Sequence, residues 1–350
     1  MYLIPKILST ATFLVAATTA QSPVKDGAPV VFGTSGTYPR ATRLADNSLL
    51  GVYTNNAGGN HTITTVKSTN NGVSWTPIGI VDTGPASKRE LDNGFVHQMP
   101  NGQILCAFRN HDYGNGPGKP PTYFRITVCV SDDGGANWRF LSQATEFPAG
   151  ADGGVWEPFL QTALDGSVQL YYSKETGSGG QDSIVRETTT SGKSWTPERV
   201  FTGSDTTARD GMIGVARTAA NSASKVAIFE SGVNGHFVVN TVISQQDGRT
   251  WEPTRYTVAS NSRFNNGAPQ IIRVGNTLVA SFGTNENGGV WPQGAMALMV
   301  SRDGGKTWKD KTVVHELPAM WAGLVELDDT SFLALYETDN ISYAQRMRIP

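Results

Sequence analysis

The octad Ser131-Asp-Asp-Gly-Gly-Ala-Asn-Trp138 decides the fold, because the chain repeats its pattern. Each copy begins with Ser or Thr, has Gly in the fifth position and ends with Trp. Five copies occur, at residues 68–75, 131–138, 188–195, 244–251 and 301–308. Polar side chains that bond a turn, a Gly at positive φ and a Trp packed beneath are typical of a stapled β-hairpin. The octads therefore indicate a β-structure built from repeated units.

A second repeat runs in the same register and adds a sixth unit. Six strand-like segments end on an aromatic residue, at 48–53, 103–108, 167–172, 224–229, 277–282 and 331–336. Strand, turn, strand, loop, strand, octad and strand together match the roughly 40–50 residues of a propeller blade. The sixth unit has only three strands, and we expect residues 28–33 to supply the fourth and hide the sheet edges. The sequence thus predicts one all-β domain over residues 21–350, a six-bladed β-propeller of four-stranded antiparallel blades closed by an N-terminal strand.

Composition excludes several classes of protein. The 28 basic and 30 acidic residues nearly balance and form no basic run, so nucleic acid is not an expected partner. A hydrophobic content of 38% can build a sizeable core, which excludes a disordered chain. The two cysteines, Cys106 and Cys129, exclude a disulfide scaffold and a multi-thiolate zinc site, but leave open one bridge or two free thiols. The histidines lack metal-ligand spacing, and we expect neither a metal nor an organic cofactor.

The first twenty residues have the pattern of a cleaved secretory signal. Lys6 precedes the apolar segment 7–17, and small residues lead to Ala20. This segment is too short to span a bilayer and no later stretch is long enough, so we expect a secreted, extracellular protein without a membrane partner. Asn60 and Asn340 begin sequons that suit glycosylation in that compartment. A closed propeller with few exposed edges is expected to be a monomer.

The candidate ligand site lies where the predicted blades converge on the axis. In a propeller the starts of the innermost strands and the ends of the second strands meet on one face. Strand interiors disfavour acids, yet charged residues occupy these places: Arg40, Asp92, Arg109, Glu157, Asp210, Glu230 and Glu337, with Glu175 slightly further out. Any single acid could lie on a solvated rim. Converging acids repel one another, however, and as a set they indicate a functional site.

Three tryptophans outside the octads suggest a sugar ligand. Trp156, Trp291 and Trp321 all map to the same predicted face. Exposed indole rings suit the apolar faces of sugars, whereas packing in the core is the alternative for each of them. The sequence therefore favours a carbohydrate-binding cleft.

Two glutamates suit glycoside hydrolysis, which requires a pair of carboxyl groups. Glu157 lies between Trp156 and Pro158, an apolar setting that raises a carboxyl pKa and favours an acid/base role. Glu230 follows Phe229 in the next unit and is our predicted nucleophile. Glu175 is the reserve candidate for this pair. We assign Glu337 and Asp210 to positioning the substrate, as we do the remaining charged and tryptophan side chains of this face.

The octads resemble the Asp-box, S-x-D-x-G-x-T-W, of the sialidase superfamily. Only Asp133 and Asp303 keep the acid in the third position, whereas Thr190 and Gln246 replace it in the third and fourth copies. The segments WEPFLQ (156–161), YYSKE (171–175), ARDGMIGVA (208–216), VAIFES (226–231) and NNGAPQ (265–270) are similar to glycoside hydrolase family 93. Members of that family are secreted fungal exo-α-1,5-L-arabinanases with six-bladed propellers.

That resemblance implies an enzyme that releases arabinobiose from linear arabinan, a plant cell-wall polysaccharide, with retention of configuration. It also implies that Glu157 and Glu230 match the family's catalytic glutamates. Two alternatives stay open. A sialidase would use three arginines, for which Arg40, Arg109 and Arg209 are available, but it needs a Tyr where this chain has Trp321. A non-catalytic lectin would bind the polysaccharide without needing two opposed carboxylates.

Overall fold

The computed structural model describes residues 22–114, 119–150, 153–176, 180–189 and 191–350. The predicted secretory signal and Thr190 of the third octad lie outside these ranges. Within them the chain forms strands and turns, together with one short 3-10 helix at Ala57–Gly59. No helix in the described ranges is long and apolar enough to cross a bilayer.

Four separate antiparallel sheets of four strands form a propeller-like arrangement. The first contains β3 (Gly36–Arg43), β4 (Leu49–Asn55), β5 (Asn60–Ser68) and β6 (Thr76–Pro85). The second contains β7 (Arg89–Gln98), β8 (Ile104–Tyr113), β9 (Pro121–Ser131) and β10 (Arg139–Pro148). The third contains β11 (Val155–Thr162), β12 (Val168–Glu175), β13 (Gln181–Thr188) and β14 (Arg199–Thr202). The fourth contains β15 (Asp210–Arg217), β16 (Lys225–Val233), β17 (His236–Ser244) and β18 (Tyr256–Ala259).

The remaining strands form a single eight-stranded sheet, so the expectation of six separate four-stranded sheets is wrong. Its members are β1 (Val24–Lys25), β2 (Val30–Thr34), β19 (Asn266–Val274), β20 (Thr277–Thr284), β21 (Gly294–Ser301), β22 (Lys309–Glu326), β23 (Ser331–Thr338) and β24 (Ile341–Arg348). The fifth and sixth predicted units merge because β22 runs for 18 residues without a turn. Its first part pairs with β21 as far as Ala319, and its second part pairs with β23 from Met320.

The predicted N-terminal closing strand is confirmed. Strand β2 pairs antiparallel with β24, with Val30 opposite Ala344 and Thr34 opposite Ile341. The strand lies one residue later than the predicted segment 28–33 at its C-terminal end. The N-terminal part of the described chain therefore shares a sheet with the C-terminal strands.

The first, second, fourth and fifth octads form the stapled turns that the sequence predicts, because the Gly N–H donates to the first Ser hydroxyl in each of them. In the second copy the Ser131 hydroxyl accepts a hydrogen bond from the Gly135 N–H at 3.0 Å, and Asp133 accepts one from the Asn137 N–H at 2.9 Å. The Trp138 indole N–H donates to the Gly135 carbonyl at 2.9 Å. Hydrogen bonds from turn and side-chain groups lower the pKa of Asp133 to about 2. These four octads thus fasten the turns that precede outer strands.

Apolar side chains fill the space between neighbouring sheets. Between the third and fourth sheets, for example, Tyr171 and Val185 pack against Ile213 and Phe229. Cys106 and Cys129 are opposite each other on β8 and β9, and both are buried free thiols. Of the two alternatives left open by the sequence, the structure has the free thiols.

A β-bulge interrupts each of the six innermost strands at an equivalent place. One residue in each bulge has a left-handed backbone: Tyr38 (φ 56°), Asn93 (56°), Glu157 (45°), Met212 (60°), Ala268 (51°) and Trp321 (57°). Non-glycine residues rarely adopt this conformation, and a bulge changes the direction in which a side chain points. The bulges therefore determine which residues surround the axis.

Candidate active site

The floor of the site is an apolar cluster formed by four of the bulge residues: Tyr38, Met212, Ala268 and Trp321. The rings of Tyr38 and Trp321 stack with centroids 4.4 Å apart and an interplanar angle of 18°. The Tyr38 hydroxyl donates to the Met212 sulfur at 3.9 Å. Within this floor Trp321 thus packs against Tyr38, and its ring does not stand free as a platform for a ligand.

Glu157 and Glu230 come together at the edge of this floor. Glu157 occupies the bulge of β11, and Glu230 lies on β16 opposite Gly211. The guanidinium of Arg209 connects them. Its Nη2 donates to both carboxylate oxygens of Glu157 at 3.3 Å, and its Nε donates to Oε1 of Glu230. Adjacent sheets therefore bring the two predicted catalytic carboxylates onto one cation.

The two carboxylates have different surroundings. Burial raises the pKa of Glu157, and the nearby Glu230 adds to this effect, whereas Arg209 opposes it. The second oxygen of Glu230 accepts a hydrogen bond from the Ala268 N–H at 2.7 Å. Both oxygens of Glu230 thus have a donor. Both oxygens of Glu157 accept from Arg209, but its burial raises its pKa and favours its protonated form.

Trp291 closes the other side of Glu230. A Cβ atom added to Gly267 would lie 2.5 Å from Oε2 of Glu230 and 2.8 Å from the Trp291 ring. Because both approaches are closer than real Cβ contacts, only glycine fits between them. The Trp291 ring also lies 6.0 Å from that of Phe237, with an interplanar angle of 56°. The two half-buried rings form an aromatic wall beside Glu230.

A cavity of about 780 Å³ lies next to Arg209, which lines it, whereas Glu157 and Glu230 are not among its lining residues. Its lining includes Arg209, Glu175, Gln181, Asn234, His236 and Phe237. A pocket of this size with convergent polar groups is suited to a small ligand. Glu175 accepts hydrogen bonds from the Gly154 N–H at 2.9 Å and from the Gln181 amide at 3.3 Å. This predicted residue therefore forms part of the cavity wall.

Several lining residues were not among the sequence-predicted site residues. Gln181, Asn234, His236 and Phe237 come from the hairpins that join the second and third strands of the third and fourth sheets. The sequence analysis considered only strand starts and the positions after the aligned aromatics. The turn at Asn234 and Gly235, immediately after β16, was the signal that could have placed these residues on the same face.

Arg109 lies in a separate acidic cluster on the second sheet. Its Nη2 donates to Glu90 at 2.8 Å and to Asp92 at 3.0 Å. The guanidinium carbon lies 4.8 Å from the centre of the Trp156 ring, which it covers. Although burial opposes the change, hydrogen bonding from His111 and the charge of Arg109 lower the pKa of Glu90 to about 2. Glu90 is a further residue of this region that the sequence analysis missed.

Arg40 is 6% exposed and lies close to the axis. One of its nitrogens donates to the Pro39 carbonyl at 2.9 Å and to the Trp321 carbonyl at 3.0 Å. Burial lowers its pKa to about 10. Arg40 is therefore held by backbone groups beneath the site.

Asp210 and Glu337, both predicted to position substrate, are not among the residues lining this cavity. Asp210 is fully buried and pairs with Ser231, Thr202 and Arg255. It lies opposite Ser231, one residue beyond Glu230, so it faces the other side of the sheet. Glu337 is 4% exposed and accepts the Asn340 N–H of a turn at 2.8 Å. Both carboxylates are thus engaged in holding neighbouring segments of chain.

The two sequon asparagines, Asn60 and Asn340, are exposed. Their glycosylation stays a prediction. In the part of the chain that the structure describes, no group of three or more His, Cys, Asp or Glu side chains is arranged to hold a metal ion. The chemistry that the site can perform is therefore best derived from its carboxylates, its arginine and its aromatic wall.

No family model and no curated protein matches this sequence. Solved structures match it in fold. The GH93 α-L-arabinofuranosidase of Fusarium graminearum, in complex with arabinobiose, has a TM-score of 0.71 at 20% identity and covers 94% of this chain and 98% of its own. The α-L-arabinanase of Penicillium chrysogenum complexed with arabinobiose has a TM-score of 0.68 at 19% identity, covering 95% and 99%. A Hadza microbial sialidase has a TM-score of 0.63 at 16% identity, covering 90% and 66%. This chain shares the fold of these proteins, as the sequence resemblance implies.

Proposed function

We propose that the protein is a retaining exo-acting glycoside hydrolase of family 93 that releases arabinobiose from linear α-1,5-L-arabinan. The observation that carries the proposal is the pair Glu157 and Glu230, both held on Arg209, a residue that also lines the cavity. Its support from comparison is a fold shared with two proteins solved in complex with arabinobiose. The cavity of about 780 Å³ offers the space for a short sugar chain.

The surroundings of the two carboxylates favour different roles for them. A glycosidase acid must keep its proton until it reaches the leaving oxygen, and burial raises the pKa of Glu157 accordingly. The nucleophile must be ionised, and Glu230 accepts hydrogen bonds from Arg209 and from the Ala268 N–H. We therefore assign Glu157 as acid/base and Glu230 as nucleophile.

The proposed reaction has two steps. In the first, Glu230 attacks the anomeric carbon while Glu157 gives its proton to the departing glycosidic oxygen, which leaves a glycosyl ester on Glu230. In the second, Glu157 takes a proton from water, which attacks the anomeric carbon and releases the sugar. Retention requires the carboxyl groups to be about 5–5.5 Å apart. Contact of one guanidinium with both glutamates brings the two carboxyl groups near each other.

The other side chains of the cavity suit a neutral sugar. Trp291 and Phe237 offer apolar surface beside Glu230, while Glu175 and Gln181 offer hydrogen-bonding groups on the opposite wall. Trp156 and Asp92 both contact Arg109, and this contact places them next to the site. We include Arg40, Arg109 and Trp321 with them as supports of the substrate-binding surface.

We extend the proposal to the protein as a whole. The eight-stranded sheet acts as two blades that share β22, which completes a six-bladed propeller over residues 21–350 as one domain. Six equivalent bulges support this count. The protein is secreted after removal of residues 1–20, carries glycans at Asn60 and Asn340, and acts as a monomer on plant cell-wall polysaccharide.

The sialidase alternative is disfavoured by the pairing of the arginines. A sialate carboxylate needs uncommitted guanidinium groups, but Arg109 binds Glu90 and Asp92, and Arg209 binds Glu157 and Glu230. The lectin alternative leaves unexplained why two carboxylates share one arginine beside a cavity. Both alternatives are outcomes of the experiment below.

The test is to incubate the protein with debranched arabinan and, separately, with a sialoside, and to identify the products. Arabinobiose from arabinan supports the proposal. Free sialic acid indicates a sialidase, and binding without product indicates a lectin. Glu157→Gln and Glu230→Gln should each abolish release of arabinobiose while the circular dichroism spectrum is unchanged. Glu316→Gln, at an exposed glutamate outside the site, is the matched control and should keep full activity.

A further inference from the structure

A small polar void lies on the axis beside Glu157. Its volume is about 10 Å³, and its polar lining consists of Arg40, Asn93, Glu157 and Gln270. A buried site needs roughly 10–15 Å³ and two to four polar partners to hold one water molecule. The void meets both requirements.

Asn93 points to a ligand in this void. The residue is 4% exposed, and both its amide oxygen and its amide nitrogen are buried without a hydrogen-bond partner among the described residues. Burying both polar atoms unpaired is costly, and native structures rarely do so. The backbone of Asn93 is left-handed because it occupies the bulge of β7, which directs the side chain towards the axis. An amide placed there needs a partner that can both donate and accept.

The charges around the void favour water over a cation. The Arg40 guanidinium lines the void and carries a positive charge beside Glu157. A metal ion would be repelled by this charge, whereas water can accept from the amide nitrogens of Asn93 and Gln270. The same water has two protons to donate, to the Asn93 oxygen and to Glu157.

Gln270 connects the void with a second cavity at the opposite end of the innermost strands. Gln270 is 7% exposed and lines both spaces. The second cavity has a volume of about 500 Å³ and polar walls that include His97 and Gln161.

We propose that one water molecule is bound in the axial void by the amides of Asn93 and Gln270, beside the charge of Arg40, and that it donates a hydrogen bond to Glu157. Gln270 and Asn93 are then positioning residues that act on the acid/base through this water. The binding site stands on the geometry alone. Its effect on catalysis rests on the proposed function of Glu157.

The first test is a high-resolution crystal structure of the wild-type protein, which needs no variant. We expect density for a water molecule within hydrogen-bonding distance of Asn93 and Glu157. The absence of such density, or an anomalous signal that identifies a metal ion there, overturns the proposal. This result does not depend on any activity, so it separates failure of the water site from failure of the proposed function.

The second test compares Gln270→Met with Gln161→Met. Both substitutions replace an amide by an apolar chain of similar length, but only Gln270 borders the void. We expect Gln270→Met to lose the water and Gln161→Met to keep it. Because a hydrogen bond donated to a carboxylate favours its charged form, losing the water should raise the pKa of Glu157. The alkaline limb of the kcat/KM profile should then move up by about 0.5–1 pH unit in Gln270→Met alone. If Gln270→Met loses the water but the alkaline limb of its profile does not move, the positioning role is overturned.

Discussion

The guanidinium of Arg209 lies 3.3 Å from both carboxylate oxygens of Glu157. The same group also donates to Glu230, so one side chain sets the relative position of the acid/base and the nucleophile. The backbone of Arg209 is itself held, since its carbonyl accepts the Gly232 N–H at 2.8 Å. Placement of both carboxylates therefore depends on a residue that reacts with nothing.

Replacing Arg209 by Met should reduce kcat/KM by about 10²–10³-fold, as loss of a preorganised electrostatic contact does. Because Arg209 opposes the rise in the pKa of Glu157, its removal should also move the alkaline limb of the pH profile to higher pH. Lys at this position restores charge but not two-point contact, so Arg209→Lys should recover only part of the activity. Arg139→Met, at an exposed arginine that follows the second octad, is the control and should leave the profile unchanged.

The roles of the two glutamates can be separated with azide and an arabinobioside that carries an activated aryl leaving group. In Glu157→Ala the glycosyl ester forms without acid assistance, and azide should attack it to give a product of retained configuration. In Glu230→Ala azide should displace the leaving group directly and give the inverted product. Nuclear magnetic resonance of the glycosyl azides distinguishes the outcomes. The opposite pattern of configurations would mean that our role assignment is reversed.

Gly267→Ala should inactivate the enzyme without unfolding it. The added Cβ would meet Oε2 of Glu230 and the Trp291 ring, so the carboxylate must shift. A misplacement of about 1 Å at a reacting group costs about 10²-fold in rate. Gly150→Ala is the matched control, because its Cβ would meet nothing within 4 Å and its φ is not left-handed. Equal activity of the two variants would contradict the crowding of Glu230.

The buried ion pair between Lys225 of the fourth sheet and Asp247, in the turn between the last two strands of that sheet, should contribute strongly to stability. Lys225 also donates to Gln169 of the third sheet. The two side chains are 2.8 Å apart and Lys225 is fully buried. Asp247→Asn would leave the lysine uncompensated and should lower the free energy of unfolding by about 3–5 kcal/mol. Asp132→Asn breaks an exposed pair with Arg139 and should cost less than about 1 kcal/mol. Urea unfolding measures both, and similar losses would contradict the dependence on burial.

The repeats made the fold predictable, whereas the continuity of β22 was not. The octads mark the ends of the outer strands, and the aligned aromatics mark the second strands. The sequence predicts one strand before and one strand after the segment between Trp308 and Met320. No pattern in that segment shows whether a turn separates the two strands. The sequence therefore predicts two sheets where the hydrogen bonds of β22 form one.

Within the site, residues on strands were easier to predict than residues in hairpins. Glu157 and Glu230 were found because acids are unusual at their strand positions. His236 and Phe237 belong to a hairpin whose direction depends on packing, so they were missed. Asp210 comes one residue before Gly211, the residue opposite Glu230, so the alternation of side chains along β15 turns it to the other face of the sheet. This pairing register leaves no mark on composition or spacing.

The six bulges also bear on how such a scaffold can acquire new activities. Tyr, Asn, Glu, Met, Ala and Trp all adopt the same left-handed backbone at these positions, so the bulge and not the residue sets the conformation. At each of these positions the bulge directs the side chain towards the common axis, whichever residue is present. Of the six occupants, only Glu157 is an acid. Single substitutions at these positions could therefore change the functional groups at the axis during evolution, while the strands that carry the bulges stay intact.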